Sequence, residues 1–364
     1  MKTEELEIGY RKIIREEGLL PYMIDYIRMG EIQFHKFIKK NEFKQGAVIA
    51  SGGGGKIFEC EWNGQDVVVK HCADQGILFN TKEEIRTEVA LMSIFQHKNV
   101  LLCIGANLGI NFPYFLMPRA QYSLEYLLLG SDDLAGTIQK VELPFPVRYQ
   151  FAFQIAQGMK YIHSWKIIHR DLKSSNILVN DDLHCTITDF GISRLTDKSR
   201  MTLNLGTISW MAPELFGGDG HYTEAVDVYS FGMLLWEIVA RDRPHLSFES
   251  WSIPEQVMGG LRPPIPSFCP FEFSDIINQC WSKNPAHRPT FSQLVVQLKE
   301  ICDRNVVPTD YSLATAMQNF KAACAKRNFQ TQEQRRVGRV GGINIGLQRS
   351  SSNLEDMFSL NSPH

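Results

Sequence analysis

Strand-like sequence gives way to helix-like sequence near residue 120, and this change restricts the chain to a small set of folds. From about residue 42 to residue 119, short apolar runs such as residues 67–69 alternate with glycine and turn residues, a pattern typical of β-strands. One helix interrupts them, since Ile85, Met92 and Phe95 recur at helical spacing. From residue 123 to about residue 304 helical patterns dominate. Strands followed by helices predict an α+β fold with two lobes.

The same patterns divide the chain into three parts. Residues 1–41 are predicted to be a charged N-terminal extension with helical spacing of its apolar residues, and residues 42–304 form the two-lobed domain. The lobes meet near residue 120 and comprise about residues 42–119 and 120–304. Residues 305–364 are predicted to be a tail, helical first and then disordered, because its last third is rich in glycine and serine.

Composition argues against several classes of function. The formal net charge of −2 gives no reason to expect an obligatory nucleic-acid or anionic-membrane partner. The longest apolar stretch, residues 100–117, is interrupted by glycine, asparagine and proline, so we expect no membrane span. The eight cysteines are scattered without a Cys-x-x-Cys pair, which favours reduced thiols. No signal peptide or lipidation motif is recognisable, and we therefore expect a cytoplasmic protein.

The most informative motif is the run Ile-His-Arg-Asp-Leu-Lys-Ser-Ser-Asn-Ile-Leu at residues 168–178. Phosphoryl transfer requires a protein mainly to position groups and to neutralise charge. Asp171 would orient an attacking hydroxyl and accept its proton, Lys173 would neutralise phosphate charge, and Asn176 would hold a metal ion. The alternative is a polar loop that only caps the preceding helix, although the full run occurs rarely by chance.

A second carboxylate follows a short predicted strand, in the sequence Thr-Asp-Phe-Gly at residues 188–191. Asp189 at a strand end is suited to hold Mg²⁺, which prefers one or two carboxylates together with phosphate oxygens. Alone, Asp-Phe-Gly is more often a turn, and its position after the first motif makes it informative. We therefore predict a magnesium site formed by Asn176 and Asp189.

A lysine and a glutamate are predicted to pair within the strand-rich part. Val68 and Lys70 share one face of a strand, because strand side chains alternate, so that face carries an apolar surface and a cation. Glu88 lies on the apolar face of the predicted helix, where a carboxylate is costly unless it is paired. Lys70 is its expected partner, and the alternative is that both side chains extend to water.

A glycine-rich loop between two predicted strands is a candidate phosphate-binding element, because glycines let backbone N–H groups approach phosphates closely. Its residues are Ile49, Ala50, Ser51, Gly52, Gly53, Gly54, Gly55, Lys56 and Ile57. It is not a Walker loop, because Lys56 is followed by isoleucine, and no βαβ unit follows it. Taken alone, a flexible hairpin is the simpler interpretation.

In this order, these segments resemble the eukaryotic protein kinase family over about residues 42–304. Two more motifs carry the resemblance: Gly-Thr-Ile-Ser-Trp-Met-Ala-Pro-Glu at residues 206–214 and Asn-Pro-Ala-His-Arg-Pro at residues 284–289. The resemblance implies a bilobal α+β fold, with a small β-rich N-lobe holding one key helix and a larger, mainly helical C-lobe. It also implies ATP and Mg²⁺ as cofactors and proteins as substrates.

The resemblance implies a role for each matching residue. The adenine side of the ATP site would comprise Ile57, Val68, Leu116 as gatekeeper, Met117 and Arg119 of the hinge, and Leu178. Lys70 would hold the α- and β-phosphates, and Asp171 would be the base. The supporting residues would be Glu214 paired with Arg288, Asp227 beneath the catalytic loop and Thr207 at the substrate.

The choice of acceptor also follows from the resemblance. Lys173 and Thr207 are similar to their counterparts in serine/threonine kinases, and residues 97–102, 210–214 and 260–264 are similar to the tyrosine-kinase-like group, which includes the Raf kinases. Serine/threonine transfer in signal transduction is therefore expected, with dual specificity or a tyrosine acceptor as an alternative. Further alternatives are a weakly active or pseudokinase scaffold, suggested only by the glycine loop, and a small-molecule kinase, which would lack a full activation segment.

Regulatory and partner sites are predicted from loops and flanks. A phosphate on Thr196, Ser199 or Thr202 would pair with Arg170, so we expect an upstream kinase, with an unmodified loop as the alternative. The helical part of the tail would pack on its own lobe or recruit a partner helix. The basic, serine-rich residues 349–353 resemble a site phosphorylated by a basophilic kinase, and a tail-binding adaptor is a further expected partner.

Overall fold

The structure, a computed structural model, confirms the predicted α+β fold, with a sheet in the N-terminal part and helices in the C-terminal part. The residues it describes are 14–16, 19–20, 23, 35–52, 55–72, 82–109, 113–132, 138–190, 194–195, 205–217 and 222–340. Among these residues no helix is long and apolar enough to cross a bilayer. The cleft between the two parts holds most of the residues with predicted chemistry.

The small lobe consists of a five-stranded antiparallel sheet and one helix. Its elements are β1 Phe43–Gly52, β2 Gly55–Trp62, β3 Gln65–His71, α1 Lys82–Ile94, β4 Gly105–Asn107 and β5 Tyr114–Pro118. The strand order is β1-β2-β3-β5-β4, and Asn63 and Gly64, both with positive φ, form the turn from β2 to β3. Residues 81–84, Thr-Lys-Glu-Glu, fit a capping box at the start of α1, but Thr81 lies outside the described residues.

The two faces of this sheet belong to separate apolar clusters, because side chains alternate along each strand. Val68 and Met117 are paired across β3 and β5 and belong to the main core, which continues into α1 and the large lobe. Val69 and Leu116 are the next pair, and they belong to a second cluster on the opposite face together with Ile38. The register therefore decides which side chains face the large lobe.

Part of the N-terminal extension pairs with the edge strand β4. The Ile38 N–H donates to the Ala106 carbonyl at 3.1 Å, and the Ala106 N–H donates to the Lys36 carbonyl at 2.8 Å. Gly105 permits this approach, since a Cβ there would lie 2.5 Å from the Ile38 side chain and 2.7 Å from the Lys36 oxygen. The extension therefore covers a sheet edge that would otherwise be open.

The large lobe is assembled around a buried helix, α4. Its helices are α2 Leu124–Leu129, α3 Phe145–Ser164, α4 Ala225–Ala240, α5 Ile253–Met258, α6 Phe271–Cys280, α7 Phe291–Arg304 and α8 Leu313–Val340. All residues from 226 to 239 of α4 are buried. Helix α3 packs against α7 and α4 packs against α6, so α4 is a fixed support for the loops above it.

Short strands and turns place those loops. The strands are β6 Tyr122–Ser123, β7 Ser131–Asp132, β8 Ile138–Gln139, β9 Ile167–Ile168, β10 Ile177–Val179, β11 Cys185–Ile187 and β12 Arg194–Leu195. The 3₁₀ turns are Lys40–Glu42, Ser174–Asn176, Leu205–Trp210, Pro213–Leu215 and Pro285–His287. Strand β11 is the short strand predicted before Asp189, and β10 and β11 form a sheet with β6.

The first part of helix α8 packs on the large lobe. Met317 and Phe320 are buried, and the Phe320 ring meets Tyr126 of α2 edge-on at 6.0 Å. The Tyr311 hydroxyl, just before the helix, donates to the Glu142 carbonyl at 2.9 Å. Of the two interpretations of this segment, packing on its own lobe is therefore correct for these residues. The serine-rich stretch beyond residue 340 lies outside the described residues.

Candidate active site

Lys70 and Glu88 form an ion pair between β3 and α1, as predicted. Lys70 Nζ lies 3.0 Å from Glu88 Oε1, and the two side chains are 16% and 4% exposed. Nζ also lies 5.2 Å from the centre of the Phe115 ring. Burial alone would lower the pKa of Lys70, but the Glu88 carboxylate raises it above its ordinary value. The lysine is therefore a permanent cation on the inner face of the sheet.

The catalytic loop holds the Asp171 carboxylate by one oxygen only. Asp171 Oδ2 accepts a hydrogen bond from Asn176 Nδ2 at 2.8 Å and lies 2.9 Å from Lys173 Nζ. Asn176 Nδ2 also donates to the Asp171 carbonyl at 2.8 Å, which closes the loop on itself. Asp171 Oδ1 is buried and has no hydrogen-bond partner among the described residues. One acceptor oxygen is thus held in place with no donor from the part of the chain that the structure describes, in a position to accept a proton.

Asp227 of α4 supports this loop from below. Its carboxylate accepts the backbone N–H groups of His169 and Arg170, both at 2.8 Å, and its Oδ2 lies 2.8 Å from His163 Nε2. Burial alone would raise the pKa of Asp227, but the hydrogen bond and charge of His163 and the bond from Arg170 keep it below its ordinary value. Arg170 has a φ of 68°, a strained conformation that these bonds stabilise.

The residues after β11 are tied to the same loop. The Thr188 N–H donates to the Asn176 carbonyl at 3.0 Å, and His169 Nε2 lies 3.0 Å from the Thr188 carbonyl. Asp189 follows with a φ of 68°, and its charge acts on Lys70. Phe190 is fully buried, with its ring edge-on to His169 at 5.2 Å and to Phe95 at 5.4 Å. Both carboxylates predicted from sequence therefore lie at one end of the cleft.

The predicted adenine residues divide between two faces of the sheet. Ile57 and Leu178 pack against the main core, to which Val68 and Met117 belong. Leu116 does not join them, because it is paired with Val69 and lies in the cluster on the opposite face. The expectation that Leu116 lines the cleft as gatekeeper is therefore wrong, and Met117 takes the inward position. The pleat of β5 and its register with β3 are the reason.

Arg119, predicted in the hinge, uses its side chain to bind two acidic residues of the small-lobe sheet. Its guanidinium lies 2.9 Å from Glu59 Oε1 on β2 and 3.0 Å from Asp66 Oδ2 on β3. The hydrogen bond and charge of Asp66 raise the pKa of Arg119 above its ordinary value. The side chain therefore ties the connection between the lobes to the small-lobe sheet.

The glycine-rich segment forms the hairpin between β1 and β2. Gly52 is paired with Gly55, while Gly53 and Gly54 lie outside the described residues. Gly55 has a φ of 126°, and a Cβ there would collide with the His71 carbonyl of β3. Ile49, Ala50, Ser51 and Lys56 lie on the hairpin strands and are exposed. At Gly55, therefore, glycine is required by the packing of the sheet.

The activation segment is described only in part. Thr196, Ser199 and Thr202 lie outside the described residues, so their regulatory role remains a prediction. Thr207 belongs to the 3₁₀ turn Leu205–Trp210, of which the backbone is described at that residue. Arg170, the predicted partner of a loop phosphate, lies 3.0 Å from the Tyr222 hydroxyl through its Nη1.

A buried ion pair lies at the C-terminal end of the activation segment. Arg288 donates to both carboxylate oxygens of Glu214, at 2.6 and 2.9 Å, and also to the carbonyls of Ala225 and Ser282. The Arg288 side chain is fully buried, and its guanidinium lies over the Tyr229 ring at 5.2 Å. The pair predicted from sequence is thus present, with bidentate geometry.

Sequence reasoning missed three polar residues around the site. His163 bonds to Asp227, Tyr222 bonds to Arg170, and Glu237 accepts bonds from the catalytic loop and from Trp210. Glu237 could have been singled out from sequence, since it is the only charged residue in the apolar run at residues 228–240, where a carboxylate needs hydrogen-bond partners. The other two are unremarkable in sequence and are recognised only through their contacts.

The residues present fit Mg-ATP. Lys70 provides a fixed cation for phosphate oxygens, and Asp189 provides a carboxylate next to it. The amide nitrogen of Asn176 donates hydrogen bonds to Asp171, so its amide oxygen is the atom suited to bind a cation. On the loop side of the site, Asp171 Oδ1 is a buried acceptor with no partner among the described residues.

Comparison with known proteins agrees with this arrangement. The family described as protein tyrosine and serine/threonine kinase matches residues 43–298, and the chain belongs to this family. Two probable LIM domain-containing serine/threonine-protein kinases of Dictyostelium discoideum are 40% and 39% identical over 278 and 277 residues. The RGS domain-containing serine/threonine-protein kinase A of the same organism is 37% identical over 286 residues.

The similarity to these relatives is limited to one part of each. The matches cover 75%, 75% and 79% of this chain, but 41%, 28% and 25% of the respective relatives. The family match itself begins at β1 and ends within α7, so it includes the residues of the cleft.

Proposed function

We propose that this chain transfers the γ-phosphoryl group of Mg-ATP to serine or threonine hydroxyls of proteins. The observation that carries the proposal is the Asp171 carboxylate, of which one oxygen is held by Lys173 and Asn176 while the other has no partner among the described residues. A hydroxyl bound next to that oxygen would be oriented by it and would pass its proton to it.

The remaining residues of the cleft would bind and orient the nucleotide. Lys70, held by Glu88, would contact phosphate oxygens, and Ile57, Val68, Met117 and Leu178 would enclose the base. Asn176 and Asp189 would hold Mg²⁺, which when bound neutralises charge on the phosphates. Lys173, beside Asp171, would neutralise charge that develops on the transferred group.

The serine/threonine acceptor is supported by relatives that carry this description, and by Lys173 and Thr207. We assign the chain to the tyrosine-kinase-like group on the motifs at residues 97–102, 210–214 and 260–264. Phosphorylation of Thr196, Ser199 or Thr202 by an upstream kinase would regulate it through Arg170. The eight free cysteines support a reducing, cytoplasmic location, and an adaptor would bind the tail.

The test is transfer from γ-labelled ATP by the purified full chain, with Mg²⁺, to a mixed protein substrate. Phosphoamino-acid analysis should give phosphoserine and phosphothreonine. Phosphotyrosine in addition would show dual specificity. A correctly folded chain that transfers no label to any protein, with or without prior treatment by an activating kinase, would contradict the proposal and favour a scaffold.

From the inward position of Met117 we predict that this side chain limits the size of the nucleotide base that the site accepts. Met117→Ala should admit an ATP analogue with a bulky N6 substituent and lower its KM about tenfold, because the change removes side-chain volume beside Val68. Leu116→Ala is the matched control, since it removes volume on the other face. It should lower the free energy of unfolding by about 2–5 kcal/mol without improving use of the analogue. Improvement in Leu116→Ala alone would contradict the assignment.

A further inference from the structure

A carboxyl group that the proposed mechanism does not use lies beneath the site, in α4, whose residues 226–239 are all buried. Glu237 is fully buried in α4, and three hydrogen bonds converge on its carboxylate. The Ser174 hydroxyl donates to Oε1 at 2.6 Å, the Ser174 N–H donates to Oε2 at 3.3 Å, and Trp210 Nε1–H donates to Oε2 at 2.8 Å.

The two partners belong to different functional segments. Ser174 begins the 3₁₀ turn Ser174–Asn176, directly after Lys173 in the catalytic loop. Trp210 ends the turn Leu205–Trp210, which contains Thr207, the residue predicted to contact substrate. Both partners are buried, so water does not substitute for these bonds. One side chain therefore connects the loop that would carry the catalytic base with the segment that would seat the substrate.

The partners of Glu237 are neutral, which makes its burial costly. No cation among the described residues forms an ion pair with it, and its partners are a hydroxyl, a peptide N–H and an indole N–H. A buried carboxylate without a countercharge stabilises the fold poorly. The role that its contacts indicate is geometric, because an ionised carboxylate accepts all three bonds at once.

We propose that Glu237 is a positioning residue, which holds the catalytic loop and the substrate-seating segment in a fixed relation. This inference rests on the proposed phosphoryl transfer, and it gives Glu237 no contact with substrate or nucleotide. When the carboxylate is ionised, both segments are bonded to one rigid helix. When it is protonated, the new O–H must be accepted by the Ser174 hydroxyl, since neither N–H group can accept it, and the connection weakens.

The surroundings make this ionisation relevant near neutral pH. The pKa of Glu237 is raised to about 7, because burial, helped by the nearby Glu125 of α2, outweighs the hydrogen bonds from Ser174 and Trp210 that lower it. The folded protein therefore keeps a proton that the unfolded chain loses above its ordinary pKa of 4.5. The contribution of Glu237 to the free energy of unfolding therefore falls as pH rises from 4.5 through about 7. Near pH 7 the carboxylate ionises, and its bonds to Ser174 and Trp210 become stronger.

Glu237→Gln is the informative variant, because an amide imitates the neutral acid in size and in bonding. At pH 8 we expect kcat/KM for a protein substrate to fall about tenfold relative to the wild type. Below pH 7 the two proteins should converge, because the wild-type side chain is then also neutral. The melting temperature of the variant relative to the wild type should rise with pH. Parallel activity profiles through pH 7 would overturn the proposal.

Ser230→Ala is the matched control. Ser230 also lies on α4 and also bonds to Trp210, through the Trp210 carbonyl at 2.8 Å, but it does not reach the catalytic loop. Hydrogen–deuterium exchange should increase at both residues 170–178 and residues 205–215 in Glu237→Gln, and only at the second segment in Ser230→Ala. The same exchange pattern in both variants would contradict a connecting role.

Two further outcomes keep the inference separate from the proposed function. If Glu237→Gln fails to fold, Trp210→Phe removes one of the three donors while keeping an aromatic ring, and it should reproduce the exchange pattern to a smaller extent. If the wild type transfers no phosphate, the proposed function fails, but the exchange measurement still decides whether Glu237 connects the two segments. Unchanged exchange in the catalytic loop would overturn the inference in either case.

Discussion

Asp171→Asn should lower kcat for protein phosphorylation at least about 100-fold, with KM for ATP changed by less than about threefold. Lys173 and Asn176 both donate towards Asp171 Oδ2, so the amide oxygen of the new side chain will take that position. The amide NH₂ will then occupy the place of Oδ1, the oxygen for which the described part of the chain provides no partner. An acceptor for the substrate proton is thereby replaced by a donor, while the nucleotide contacts at Lys70 are unaffected.

The measurement is single-turnover transfer from γ-labelled ATP, combined with a direct titration of ATP binding. Asp182→Asn is the control, because Asp182 lies exposed in the turn between β10 and β11, and its side chain accepts a bond from the His184 N–H that an asparagine oxygen would retain. The Asp182→Asn protein should keep the wild-type rate of transfer and the wild-type affinity for ATP. An Asp171→Asn protein that keeps more than a tenth of the wild-type rate would exclude Asp171 as the base.

Arg288→Met should lower the free energy of unfolding by about 3–5 kcal/mol. The change leaves the Glu214 carboxylate without its bidentate partner and removes donors from the carbonyls of Ala225 and Ser282. The loss is large because the Arg288 side chain is fully buried and Glu214 is only 19% exposed, so water replaces few of these bonds. Urea unfolding followed by circular dichroism measures the change.

An exposed ion pair in the same lobe provides the control. Arg304 and Glu272 are linked at 2.7 Å, but their side chains are 58% and 51% exposed, and Arg304→Met should cost less than about 1 kcal/mol. The double variant Glu214→Gln/Arg288→Met should recover part of the loss, because no uncompensated carboxylate remains. Equal effects of the two arginine substitutions would show that the buried pair contributes little to stability.

The residues with direct chemistry were predictable because they occur as short motifs with a recognisable order. Asp171, Lys173 and Asn176 lie within six consecutive positions, and Asp189 follows one short hairpin later, so local chain geometry brings them together. The pairing of Lys70 with Glu88 was also predictable, since each occupied a face that would otherwise be apolar. The prediction of the Lys70–Glu88 pair required only the spacing at which side chains return to the same face, which is two residues in a strand and about 3.6 in a helix.

The orientation of β5 was not predictable from its own sequence. All four residues from Tyr114 to Met117 are buried, so no alternation of polar and apolar side chains marks the face towards the cleft. The choice depends on the hydrogen-bond register between β5 and β3, where Lys70 is paired with Phe115 and Val68 with Met117. A shift by one residue would have reversed the assignment of Leu116 and Met117.

The sequence by itself therefore determined the class of fold, the order of the chemical motifs and the two ion pairs. Only the tertiary structure decided that Met117 lies towards the cleft, that residues 36–38 cover the edge of the sheet, and that Glu237 links Ser174 to Trp210. The reason is physical: periodic patterns and motifs report on neighbours along the chain. Register, edge pairing and buried hydrogen bonds join segments that are far apart, and their energies depend on geometry that no single segment contains.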